Sequence, residues 1–218
     1  MNRKLSIACL QYSSTENEKN TLKTIKDLID KALDAEAEFI TLPECATSLQ
    51  KNAILTKELA KTESENFSLQ TFKEIAKLNS IFILIGSLPI KANDKLVNRS
   101  FLVGPEGNVL YKYDKIHLFD VELPNGDIFR ESDTYLPGNK AVIAEIKKNK
   151  IKIGMTICYD VRFPILYQDL ALNGAEIIVV PSAFSNITGP VHWHTLLKAR
   201  AIETVSFIIA PAQTGNHE

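Results

Sequence analysis

Apolar residues recur along the chain with two different periods. Leu22, Ile25, Leu28, Ile29, Ala32 and Leu33 follow the spacing of one helical face. Phe67, Leu69, Phe72, Ile75, Ala76 and Leu78 repeat that spacing and predict a second amphipathic helix over about 66–79. Thr15 and Glu18 stand three apart ahead of the first set and predict a capping box. Shorter apolar runs predict strands: residues 4–11, Phe39-Ile40-Thr41-Leu42 closed by Pro43, and Ile81-Phe82-Ile83-Leu84-Ile85. The last run is apolar at every position, as in a strand buried on both faces.

The second half adds hairpins. Strands at 96–103 and 108–113 flank Gly104-Pro105-Glu106-Gly107-Asn108, a turn by composition. Another hairpin is expected at 141–146 and 151–157, with Lys147-Lys148-Asn149-Lys150 as its solvated turn. A helix at 164–173 ends on Asn173-Gly174, and Ile177-Ile178-Val179-Val180 reads as a strand. A helix at 190–204 and a strand at 206–212 complete the series. Helices alternating with strands, interrupted by hairpins, predict a layered α/β fold with mixed pairing. Residues 114–140 show no periodicity. A loop that long is functional or a misassignment, and Lys115, His117, Asp120, Arg130 and Glu131 within it favour function.

Composition narrows the partners. A chain of 218 residues with 45% hydrophobic and 23% charged content fits one soluble domain, residues 1–218. Its net charge of −1 gives no reason to expect nucleic acid or an anionic membrane as partner. Three cysteines without CxxC spacing do not make a disulfide scaffold, and Leu5 to Leu10 is too short for a signal segment. A reducing, cytoplasmic setting is expected. Neither GxxxxGK[ST] nor GxGxxG is present, so no cofactor is expected, and Gly-x-Ser-x-Gly is absent too. His192 and His194, two apart, point to different helix faces, and no HExxH or Cys/His cluster supports a metal. Helix capping and core contacts are the expected jobs of these histidines.

Candidate chemistry lies where strands end. Cys158 follows an apolar strand and precedes a helix-like segment, a turn whose N–H groups and positive surroundings would lower a thiol's pKa. The alternative is a small buried hydrophobe. Glu44 leaves the Thr41-Leu42-Pro43 strand end, where partial burial would suit it to proton transfer, or it is a loop carboxylate. Lys115 and Glu131 read either as site residues or as a surface lysine and a loop ion pair.

Three blocks tie these residues together. Leu42-Pro43-Glu44, Tyr113-Asp114-Lys115-Ile116-His117-Leu118-Phe119-Asp120 and Ile157-Cys158-Tyr159-Asp160-Val161-Arg162-Phe163-Pro164 resemble the signature blocks of the nitrilase superfamily of carbon–nitrogen hydrolases. Their order and rough spacing match, and Pro181-Ser182-Ala183-Phe184, Thr188 to Trp193 and Ala199 to Thr204 extend the resemblance over essentially the whole chain. Within the superfamily the sequence is similar to the amidase branch that includes deaminated glutathione amidase and omega-amidase.

The resemblance implies an α-β-β-α sandwich and a Glu44–Lys115–Cys158 triad, with Glu131 as a second glutamate and the Tyr159 backbone N–H as oxyanion donor. It implies hydrolysis of a small carboxylate-bearing primary amide through a cysteine thioester, with release of ammonia. Arg162 is then a candidate carboxylate clamp, or a structural salt bridge to Asp160, and Phe119, Phe184 and Thr188 are candidate pocket residues. Relatives pair as dimers and continue past the position of Glu218 with a final strand pair, so the sandwich is expected to lack those strands. Two other readings stay open. One is an inactive remnant or a binding subunit that needs a partner; the other is a nitrilase acting on nitriles.

Overall fold

The computed structural model describes residues 3–123, 126–146 and 150–217. Most of the turn expected at 147–150 therefore lies outside the described residues. A first sheet has the order β1-β2-β3-β4-β5, with β1 (Ile7–Cys9), β2 (Phe39–Thr41), β3 (Phe82–Ala92), β4 (Lys95–Val103) and β5 (Val109–Asp114). β1, β2 and β3 run parallel, and β4 and β5 add antiparallel pairs. A second sheet has the order β11-β10-β9-β8, with β8 (Val142–Ile146), β9 (Ile151–Met155), β10 (Ile177–Val179) and β11 (Phe207–Ile209). Here β8 pairs antiparallel with β9, and the rest are parallel.

The continuous apolar runs are explained by burial on both strand faces. Phe39, Leu84, Leu102 and Tyr113 of the first sheet meet Ala144, Ile153, Met155, Ile177 and Val179 of the second. The alternate residues Ile40, Ile83 and Ile85 face outward against α1 (Glu18–Asp34) and α3 (Phe67–Asn79). Ile178 and Val180 likewise face α4 (Pro164–Leu172) and α5 (Gly189–Thr204). The result is the expected α-β-β-α layering. Each fully buried side chain of this size contributes about 1.5–3 kcal/mol, which keeps the two sheets in register. No described helix is long and apolar enough to cross a membrane.

Several local expectations are corrected. The cap of α1 is Asn17, whose side chain accepts from the N–H groups of Lys19 and Asn20. Thr15 instead donates to the Asn17 carbonyl, and Glu18 is bound by the Ser68 hydroxyl. The first strand spans three residues, Ile7–Cys9, where eight were expected. The strand begun by Phe82 runs to Ala92 and turns at Asn93 into β4. A short helix, α2 (Ala53–Leu59), has no clear apolar face and was not foreseen. The stretch 114–140 contains a two-stranded ribbon, β6 (Asp120–Glu122) with β7 (Ile128–Arg130), and a 3-10 turn, Glu131–Asp133.

Candidate active site

Three chain reversals bring the candidate residues to one end of the sandwich. Beyond β2, Leu42 and Pro43 lead to Glu44, and Cys45 takes a left-handed conformation with φ of +54°. Ser87 fixes the turn by accepting from the N–H groups of Cys45 (3.0 Å, at Oγ) and Ala46 (2.9 Å, at the carbonyl). Gln213 donates to the carbonyls of Glu44 (2.8 Å) and Cys45 (3.3 Å) and also to Ser14 Oγ. Gly86 makes the close approach possible: a Cβ there would stand 2.1 Å from the Leu42 carbonyl oxygen. Lys115, just after β5, donates its N–H to the Asn98 carbonyl and accepts from the Gly138 N–H. A Cβ on Gly138 would stand 2.1 Å from the Asp114 carbonyl oxygen, so glycine is required there too.

Cys158 is the third reversal. Its N–H donates to the Pro181 carbonyl (2.8 Å), its φ is +45°, and it opens a 3-10 turn, Cys158–Arg162. Asp160, fully buried, ties this turn to the segment carrying Lys115. Its carboxylate accepts from the Ile157 N–H (2.8 Å), the Tyr113 hydroxyl (2.7 Å) and the His117 N–H (3.1 Å), and meets His117 Nδ1 at 2.7 Å. From the other side Arg200 donates to the Val161 carbonyl at 2.8 Å.

The side chains then converge. Lys115 Nζ lies 3.1 Å from Glu44 Oε1 and 2.9 Å from Glu131 Oε2. Glu44 Oε2 accepts from the Ala183 N–H at 2.8 Å, and the Glu44 carboxylate acts on the neighbouring Cys158 thiol. Asn98 Nδ2 donates to both glutamates, and the Phe119 N–H donates to Glu131 Oε2 at 2.6 Å. Burial opposes the charge on Lys115, but Glu44 and Glu131 outweigh it and hold the ammonium well above its ordinary value. Burial, and then the Glu44 carboxylate, push the Cys158 thiol well above its ordinary value against the opposing pull of Lys115. This reverses the lowered pKa expected from the sequence. Two carboxylates face one ammonium, and a short 3-10 turn follows the cysteine. The arrangement sets a buried thiol that holds its proton beside Glu44, with the Lys115 ammonium fixed next to them.

A second group adjoins the cysteine. Arg162 donates to Thr188 Oγ1 (3.4 Å) and to His192 Nδ1 (3.2 Å), and its guanidinium lies 5.7 Å from the Tyr159 ring and 5.6 Å from the Phe184 ring. The salt bridge with Asp160 is not formed, because Ile157, Tyr113 and His117 take up that carboxylate. Among the described residues Arg162 has no carboxylate partner. Since a guanidinium only donates, His192 Nδ1 acts as acceptor, a role other than the expected capping. Phe119 joins from the ribbon side, edge-on to Tyr159 at 5.1 Å. Sequence reading passed over Asn98, Gln213 and the Ala183 N–H. Asn98 left one signal, a polar amide inside a strand that is otherwise largely buried.

The fold has counterparts in known proteins. The carbon-nitrogen hydrolase family profile matches residues 6–218. The deaminated glutathione amidase of Yersinia enterocolitica is 39% identical over 218 residues, covering 97% of this chain and 74% of that protein. The NitFhit protein of C. elegans superimposes with a TM-score of 0.87 at 30% identity, over 99% of this chain and 53% of its own. Saccharomyces cerevisiae Nit3, a member of branch 10 of the nitrilase superfamily, gives 0.86 at 28% identity, over 98% of this chain and 77% of its own.

Proposed function

The chain belongs to the carbon–nitrogen hydrolase family, and from that premise we propose that it hydrolyses a small carboxylate-bearing primary amide through a thioester on Cys158. The observation that carries this reading is Lys115 locked between Glu44 and Glu131, with the buried Cys158 thiol beside Glu44. Glu44 takes the thiol proton as sulfur attacks the amide carbon. The carbonyl oxygen becomes an oxyanion facing the Lys115 ammonium and the Tyr159 N–H, which lies in the first turn where backbone donors lack partners inside the helix. Glu44 returns its proton to the departing nitrogen, and ammonia leaves. Water, deprotonated by Glu44, then attacks the thioester, and the thiol is reprotonated as the acid departs. Glu131 holds Lys115 in place throughout. Losing one oxyanion donor typically costs about 100- to 1000-fold in rate.

Arg162, lined by Phe184 and Thr188, supports a carboxylate on the substrate; the name of the Yersinia relative points to deaminated glutathione, and the sequence resemblance adds an ω-amide dicarboxylate. Phe119 forms a further wall through Tyr159. An ammonia-release screen over these amides, with matched nitriles alongside, tests the proposal. Turnover of an amide is expected, and none from Cys158→Ala or Glu44→Gln. Native rates from either variant would sink the mechanism. Turnover of nitriles alone would reassign the protein as a nitrilase. A cooperatively folded protein inert on every amide would favour a binding subunit.

A further inference from the structure

A buried amide bridges the two glutamates. Asn98 lies in β4 and is 5% exposed. Its Nδ2 donates to Glu44 Oε1 at 3.0 Å and to Glu131 Oε1 at 3.3 Å. The two carboxylates therefore have two bridges, Lys115 with charge and Asn98 without. The amide orientation is fixed, since a flipped side chain would point Oδ1 at both carboxylates. Asn98 is also coupled to Lys115 through the backbone, because its carbonyl accepts the Lys115 N–H at 3.0 Å.

A count of acceptor sites shows what the bridge does. A carboxylate offers about four lone-pair sites, two on each oxygen. Lys115 and Asn98 fill those of Glu44 Oε1, and Ala183 takes one on Oε2. The site left open is on Oε2, for the thiol. We propose that Asn98 is a positioning residue for the hydrolysis, an uncharged strap that holds Glu44 and Glu131 around Lys115 and keeps the free acceptor of Glu44 turned toward Cys158. The inference rests on the amidase reading and adds a residue to it.

The titratable groups around the strap are Glu44, Glu131, Lys115, Cys158, Cys45 and Tyr135. Burial pushes both thiols and the phenol up. A donated hydrogen bond favours the ionised carboxylate, so losing it moves the acidic limb of the rate profile to higher pH.

The test is Asn98→Leu, similar in size and without a donor. Its kcat is expected to fall about 10- to 100-fold with KM nearly unchanged, and the acidic limb of kcat/KM to move to higher pH. Asn98→Ser, with a single hydroxyl donor, should recover part of both effects. Asn98→Asp keeps the shape and adds a third carboxylate; it should lose more than the leucine variant. If the leucine variant does not fold, the serine and aspartate variants carry the test. Native kcat and an unmoved limb in a folded variant would overturn the proposal, as would lost activity with an unmoved limb. Alkylation of Cys158 by acrylamide against pH supplies a readout that needs no turnover. A wild-type protein inert on amides would refute the amidase reading, while the limb of the alkylation profile would still judge Asn98.

Discussion

Glu44 and Lys115 meet at 3.1 Å with 5% and 3% of their side chains exposed. Breaking one end of such a pair costs about 3–5 kcal/mol, because the other charge stays buried without its partner. Lys115→Met leaves Glu44 facing Glu131 and is expected to lose that much in urea denaturation at neutral pH. A loss below about 1 kcal/mol would contradict the account.

The neutral state of the thiol makes a second prediction. Burial and Glu44 push Cys158 up, so the ultraviolet difference between wild type and Cys158→Ala should show no thiolate band over about pH 6–8. The folded value stands above the unfolded one, so this group's contribution to stability is complete below about pH 8.5 and is lost as pH rises further. Wild type should therefore lose stability in alkali that Cys158→Ala retains. A thiolate band at neutral pH would refute both statements.

The left-handed backbone at Cys158, with φ of +45°, is uncommon for a residue with a Cβ. Such a conformation costs about 1–2 kcal/mol. Cys158→Gly should be more stable than Cys158→Ala by roughly 0.5–1 kcal/mol, after the entropy glycine gains in the unfolded chain is subtracted. Both should be inactive. Equal melting temperatures would show that the turn carries no strain.

Arg162 separates substrate binding from chemistry. Arg162→Met should raise KM for carboxylate-bearing amides about 10- to 100-fold, the loss of a charge-assisted hydrogen bond or pair, while uncharged amides are hydrolysed nearly as before. Steady-state kinetics on a matched acid and neutral amide measure the difference. An equal loss on both substrates would make Arg162 a support for the turn carrying Cys158.

Much of the fold was legible because its signals are local. The helical face from Leu22 to Leu33 and the apolar runs around Ile40, Ile83 and Ile178 state both period and burial. Residues 114–140 were opaque for a physical reason: the ribbon pairs Asp120–Glu122 with Ile128–Arg130 and buries too little to impose alternation. Glu44, Lys115 and Cys158 stood out as blocks in register with a family, and Glu131 was mapped from the loop between the lysine and the cysteine. Their electrostatic balance could not be read that way. The state of the thiol depends on how many carboxylates stand beside one ammonium, and that is a fact of three dimensions. Asn98 and Gln213 escaped notice because each acts through side-chain bonds to residues far along the chain.

Gln213 also sets a timetable for biosynthesis. Its side chain joins Ser14 to the turn holding Glu44, across a sequence separation of 199 residues. A nascent chain already contains Cys158 and Lys115 before Gln213 leaves the ribosome, so the turn holding Glu44 gains these hydrogen bonds only after both residues have been made.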